Sequence, residues 1–151
     1  MAMATKQRIV YGATSEWGTD GNTYTAIPEC KSLAVPAVEI EYQDATNLAS
    51  PGGYREYVPG LKDAGSVEIT CGYSSAGYET AHGYMTNNYM THTTMVYFRT
   101  TMPLETGQST GDVFTFTGYV TPRLETNQVG DIIGMTLAVR VTGQPSFQRG
   151  S

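Results

Sequence analysis

Apolar and polar positions alternate with period two over several stretches of the chain. In residues 36–43, Val38, Ile40 and Tyr42 fall on one face and Ala37, Glu39 and Glu41 on the other. In residues 66–73, Val67, Ile69 and Cys71 oppose Glu68 and Thr70. Residues 93–101 and 112–125 alternate likewise, the second with Phe114 and Phe116 opposite Val113, Thr115, Thr117 and Tyr119. Ile133, Met135, Leu137, Val139 and Val141 alternate with Thr136, Ala138, Arg140 and Thr142, and Gly143 is expected to end that strand. This period is that of a strand buried on one side. A short strand is expected at 23–27, and at most one more near residues 8–11.

One segment has helical spacing. Tyr78, Ala81, His82 and Met85 recur at i, i+3, i+4 and i+7, which predicts one helix over about 76–88. Ser74 or Ser75 is placed to cap its start, and Asn87 and Asn88 to end it.

Residues 44–65 have neither period. They hold Pro51, Pro59 and several glycines, yet also Leu48, Tyr54, Tyr57, Val58 and Leu61. A structureless loop of about 20 residues is uncommon in a compact domain unless it has a function. Its apolar side chains have the character of a segment that meets a partner. The pattern as a whole predicts a mainly β protein, an antiparallel sandwich or barrel-like domain with one helix and one long loop. Its expected divisions are an N-terminal arm (1–22), one domain (23–143) and a short polar tail (144–151).

Composition sharpens this picture. The chain has 151 residues, enough for one domain. It has 17 Gly and 11 Tyr, and only 15% of its residues are charged. Turns favour Gly and strands favour Tyr, which argues against a helical bundle. The formal charge is −5 with nine dispersed Lys and Arg, so a basic clamp on nucleic acid is excluded. No apolar run reaches the roughly 18 residues of a membrane-spanning helix. The first residues lack the apolar core of a secretory signal, and a protein made and kept in a cytosol is expected.

Candidate chemistry is sparse. The sequence lacks the nucleophile elbow, P-loop, zinc-protease and dinucleotide motifs. Glu39 and Glu41 share a strand face as an acid–base pair would, but a solvated strand face is the better reading. His82 on the apolar helix face reads as a packed histidine. Cys30 and Cys71, with His82 and His92, lack metal-ligand spacing. In a reducing compartment the two cysteines read as small buried residues that allow at most one disulfide. No enzyme activity, cofactor or metal is expected. A self-associating structural protein accounts for the sticky loop and for strand edges that proteins otherwise protect. A carbohydrate-binding β-sandwich is the competing class.

The stretch Ile40-Glu41-Tyr42-Gln43-Asp44-Ala45-Thr46-Asn47-Leu48, followed by Ser50-Pro51-Gly52-Gly53-Tyr54-Arg55-Glu56-Tyr57-Val58-Pro59-Gly60-Leu61-Lys62-Asp63-Ala64-Gly65, closely resembles the tail tube proteins of long non-contractile-tailed, lambda-like bacteriophages. The resemblance continues through residues 77–86, where that family has its helix. It extends through Phe114-Thr115-Phe116-Thr117-Gly118-Tyr119-Val120-Thr121 and Val139-Arg140-Val141-Thr142-Gly143, which are similar to its closing strand pair. It covers residues 23–143.

The resemblance implies hexameric rings stacked into a hollow tube in the virion tail, assembled in the host cytoplasm. The lumen would pass DNA without specific binding, and a tape measure protein would occupy it during assembly. Terminator and initiator proteins would be further partners. A tube-fold terminator or baseplate ring component is the nearest variant of this reading. On this basis Glu39, Glu41, Glu68 and Arg140 are expected to face the lumen, with Arg140 pairing one of the glutamates. Val38, Ile40, Val67 and Ile69 are expected in the core. Leu48, Tyr54, Arg55, Tyr57, Val58, Leu61, Lys62 and Asp63 are expected to form the ring-stacking loop.

Overall fold

The computed structural model describes residues 11–86, 95–124 and 128–151. Eight strands and one α-helix follow in order: β1 (Thr14–Gly18), β2 (Thr25–Ala26), β3 (Glu39–Asp44), β4 (Tyr57–Asp63), β5 (Ser66–Gly72), α1 (Ser75–Thr86), β6 (Val96–Thr101), β7 (Val113–Leu124) and β8 (Gly134–Gln148). Six strands form one antiparallel sheet in the order β2-β1-β6-β7-β8-β5, curled into a half-barrel. β3 and β4 form a separate two-stranded hairpin.

In the large sheet, the apolar residues that share a face by alternation are the buried ones. Val67, Ile69 and Cys71 of β5 point the same way as Met135, Leu137 and Val139 of β8, and all six are buried. Phe98 and Phe116 stack from β6 and β7 with ring centroids 5.2 Å apart. The helix closes this face. Ser74 caps it, its Oγ accepting the Gly77 N–H at 3.1 Å. Gly77 and Ala81 are buried, and the Tyr84 ring meets Trp17 edge-on at 5.4 Å. Ile27 and Ala34, in the irregular chain between β2 and β3, complete the core. The Thr100 hydroxyl donates to the Ala34 carbonyl at 3.2 Å.

Two glycines permit the curl. At Gly118 a Cβ would fall 2.6 Å from the Arg140 carbonyl oxygen and 2.7 Å from a Val139 methyl, so only glycine lets β7 and β8 come this close. Gly143 has φ +80° within β8, where the β7–β8 register shifts between Thr115 and Thr117. The extra β8 residues are absorbed as a bulge, and the strand goes on instead of ending.

Several boundaries therefore differ from the sequence pattern. The strand in the first 22 residues is β1 at Thr14–Gly18, hydrogen-bonded between β2 and β6. Residues 8–10 of the expected span lie outside the described residues. Burial of Trp17 makes β1 part of the main sheet rather than of an arm. Residues 144–148 are strand, and the C-terminus is held by Ser109 and Thr110 N–H groups donating to Ser151 O at 2.7 and 3.0 Å. Asn87, Asn88 and His92 lie outside the described residues. His82 is exposed and stacks on Tyr78, because the helix turns Gly77, Ala81 and Tyr84 to the sheet instead.

Candidate assembly surface

The hairpin β3–β4 is built from strand-forming residues but covers no core. Every residue of both strands is exposed. Cross-strand pairs set its faces. Ile40 opposes Lys62, Tyr42 opposes Pro59 and Asp44 opposes Tyr57 on one side. Glu39 opposes Asp63 and Gln43 opposes Val58 on the other, with Glu41 in the same parity as Glu39. A bulge between Ile40 and Tyr42 breaks the register. Here Gly60 packs so near the Glu41 carbonyl that a Cβ would fall 3.3 Å from it. Val38 and Ile40 are thus exposed rather than in the core, because their strand left the main sheet. Val67 and Ile69 stayed in it and are buried.

Residues 45–56 form the hairpin's tip. This connection is tied by its own hydrogen bonds. Ala45 N–H donates to the Glu56 carbonyl and Glu56 N–H to Thr46 Oγ1, both at 2.8 Å. Ser50 Oγ donates to Glu56 Oε2 at 3.0 Å. A short 3-10 turn follows at Pro51–Gly53. The Thr46 hydroxyl and N–H hold the Asp44 carboxyl below its usual pKa, and Arg55 lies 3.7 Å from Asp44.

The expected stacking residues divide between these two parts. Leu48, Tyr54 and Arg55 are on the tip, and Leu48 is fully solvent-exposed. Tyr57, Val58, Leu61, Lys62 and Asp63 are on β4, which forms the last third of the segment expected to be loop. Its prolines and glycines conceal a strand because β4 is an edge strand, where Pro59 loses no ladder bond that the sheet needs. At the hairpin's root, Lys62 and Val38 flank a cleft shared with Gly143, Gln144 and Pro145 of the β8 bulge.

The open face of β5, β8 and β7 is polar. Glu68 and Arg140 project from it, as do Tyr119, Thr121 and Arg123 by register. The expected Arg140–glutamate pair does not form. Arg140 lies 3.3 Å from Asp63 at the hairpin root, and Glu68 instead meets Arg123 at 3.5 Å. At the hairpin root it is Asp63 of β4, rather than its cross-strand neighbour Glu39, that reaches Arg140, and Arg123 stands over β8 toward Glu68. The Gly65 N–H and then the Arg140 charge hold the Asp63 carboxyl below its usual value. Arg123 is absent from the residues expected on this face, although it shares the parity of Tyr119 on the same strand, the signal that finds it. Among the described residues, no cluster of His, Cys, Asp and Glu is arranged for a metal.

Strand edges are the remaining feature. The C-terminal half of β5 is covered by residues 29–32: Lys31 N–H donates to the Thr70 carbonyl and Gly72 N–H to the Glu29 carbonyl. Towards its start, the outward backbone of Ser66 and Glu68 has no partner among the described residues. The outer edges of β3 and β4 are likewise unpaired among the described residues.

No family model matches the sequence, and no curated protein matches it. Solved structures do match by shape. The sheath/tube terminator of an extracellular contractile injection system, PVC, superposes with TM-score 0.71 at 9% identity, covering 97% of this chain and 99% of that one. A chain from the tail of an empty gene transfer agent particle gives 0.65 at 17% identity, covering 94% and 99%. The SPP1 tail tube gives 0.65 at 14% identity, covering 95% and 80%. Over nearly its whole length, then, the chain has the tail-tube fold found in these phage-like assemblies.

Proposed function

We propose that this chain is a non-enzymatic structural subunit of a bacteriophage tail tube, which self-associates into hexameric rings that stack into a hollow conduit. The observation that carries the proposal is the hairpin β3–β4, exposed on both faces and carrying Ile40, Tyr42, Tyr57, Val58 and Leu61. An isolated two-stranded hairpin is at best marginally stable in water. Exposed apolar side chains and unpaired edges become favourable when a neighbouring subunit covers them. A head-to-tail interface of this kind closes into rings when its rotation divides a full turn. The tail-tube fold and the resemblance of residues 40–65 to lambda-like tail tube proteins support the same reading.

In the tube, the polar face of β5, β8 and β7 lines the lumen with Glu68 and Arg140, and Glu39 and Glu41 extend that lining. The net negative charge keeps DNA phosphates from adhering during ejection. The tip residues Leu48, Tyr54 and Arg55 dock on the next ring. A tape measure protein in the lumen, and terminator and initiator proteins at the ends, complete the partner set. Assembly takes place in the host cytoplasm and the product resides in the virion tail.

Electron microscopy of the purified protein across a concentration series tests the proposal. Hollow tubes or stacked rings are expected. Single rings that never stack would favour a terminator role instead, in keeping with the likeness to the PVC terminator. Monomers at every concentration, with and without tail initiator complexes, would overturn both.

A further inference from the structure

Cys30 and Cys71 oppose each other across an isolated antiparallel bridge. The flanking bonds define the kind of pair. Lys31 N–H donates to the Thr70 carbonyl at 2.9 Å and Gly72 N–H to the Glu29 carbonyl at 2.8 Å. The two cysteines themselves exchange no backbone bond, so they occupy a non-hydrogen-bonded position. There the Cα atoms approach to about 4.5 Å and both side chains leave the same face. That spacing lies inside the range a disulfide spans, about 4.4–6.8 Å. Both thiols are free.

Their surroundings differ in a useful way. Cys71 is fully buried. Cys30 is half-buried and borders a cleft of about 480 Å³ between residues 11–15 and 30–33. A hydrogen bond from the Cys71 thiol holds Cys30 down at about 6, while that same bond and burial push Cys71 up. Cys30 is therefore the more accessible and more readily ionised thiol, and Cys71 the sheltered second one.

The position matters because the whole β3–β4 hairpin lies between the two cysteines in sequence. The bridge at Cys30 also pins the strand-like segment that covers the β5 edge. We propose that Cys30 and Cys71 form a redox-closed staple, a cross-strand disulfide made by exchange with a small-molecule disulfide such as oxidised glutathione, which ties the segment leading into the hairpin to β5 of the main sheet. The Cys30 thiolate attacks one sulfur of oxidised glutathione, whose S–S bond breaks and releases one glutathione thiolate. The Cys71 sulfur then attacks Cys30 Sγ in the mixed disulfide, the second glutathione leaves, and the Cys71 proton passes to it. The protein loses two electrons and glutathione disulfide gains them.

The test is a series of glutathione redox buffers applied to the purified full chain, read by intact mass and by thiol titration after unfolding. The expected result is loss of both titratable thiols, a mass lower by two hydrogens, and one peptide joining Cys30 to Cys71. Cys71→Ser is expected to stop at a glutathione adduct on Cys30. Cys30→Ser is expected to react much more slowly, because its remaining thiol is buried. Two titratable thiols in the most oxidising buffer, or glutathione adducts without the internal bond, would overturn the staple. Faster reaction of Cys30→Ser than of Cys71→Ser would overturn the assignment of Cys30 as the attacking thiol. This outcome is independent of whether the chain forms tubes.

Discussion

Leu61→Asp separates folding from assembly. Leu61 is 83% exposed on β4, so the change removes little that the isolated subunit buries. Its circular dichroism and its denaturant midpoint should match wild type within about 0.5 kcal/mol, as for ordinary surface substitutions. In the proposed assembly a neighbouring subunit covers this position. Burying a leucine side chain is worth about 1.5–3 kcal/mol, and an aspartate placed there adds a desolvation cost of about 1–3 kcal/mol. Together these weaken each subunit contact by roughly 2.5–6 kcal/mol, or about 10²- to 10⁴-fold in the association constant. Leu61→Ala loses only the first part, roughly 30-fold for about 2 kcal/mol. Sedimentation velocity over a concentration series, with microscopy of the same samples, measures both. The graded order wild type, alanine, aspartate is expected. Normal assembly by the aspartate variant at wild-type concentrations would refute the covered-hairpin reasoning, because no interface tolerates that charge at its centre without loss.

Trp17→Ala should destabilise the subunit by about 3–5 kcal/mol in urea unfolding, since the indole is buried against Tyr84; a dispensable N-terminal arm would lose almost nothing. The Asp63 carboxyl, lowered by the Gly65 N–H and by Arg140, should titrate below the usual aspartate range by NMR and move back up in Arg140→Met. Because its folded value is depressed, its contribution to stability is present above the unfolded value near 3.8 and is lost as pH falls through the folded one; a titration at the ordinary value would remove the Asp63–Arg140 contact from the account. Glu39→Lys with Glu41→Lys should leave tubes intact and slow DNA release from virions; an unchanged release rate would place those carboxylates away from the DNA path.

The legibility of the fold varied with the kind of burial. The strands of the main sheet were plain because one face is buried and the other is open, so β5 and β8 alternate residue by residue. Ser74 was readable as a cap because its donor–acceptor chemistry is local. His82 was misplaced because a helical wheel gives a stripe of residues but not the angle at which the sheet receives it. Gly143 was read as a stop, and only the shifted β7–β8 register makes it a bulge within a continuing strand. The candidate surface was half visible. The apolar residues in 44–65 signalled an unsatisfied segment, but the pairing of β4 with β3 was hidden behind Pro59 and Gly60.

Alternation alone thus determined the strand-rich class, most of the core of the main sheet and the presence of one capped helix, because those depend on period and on short-range hydrogen bonding. It also showed that 44–65 carries more apolar surface than a solvated loop tolerates. Tertiary structure decided that β3 leaves the sheet, so that Val38 and Ile40 face solvent with the same alternation that buries Val67 and Ile69. It decided that Arg140 meets Asp63 and that Glu68 meets Arg123, and it brought Cys30 opposite Cys71. These are pairings between distant parts of the chain. A strand's period says which residues share a face, and only the neighbour it packs against says whether that face is inside.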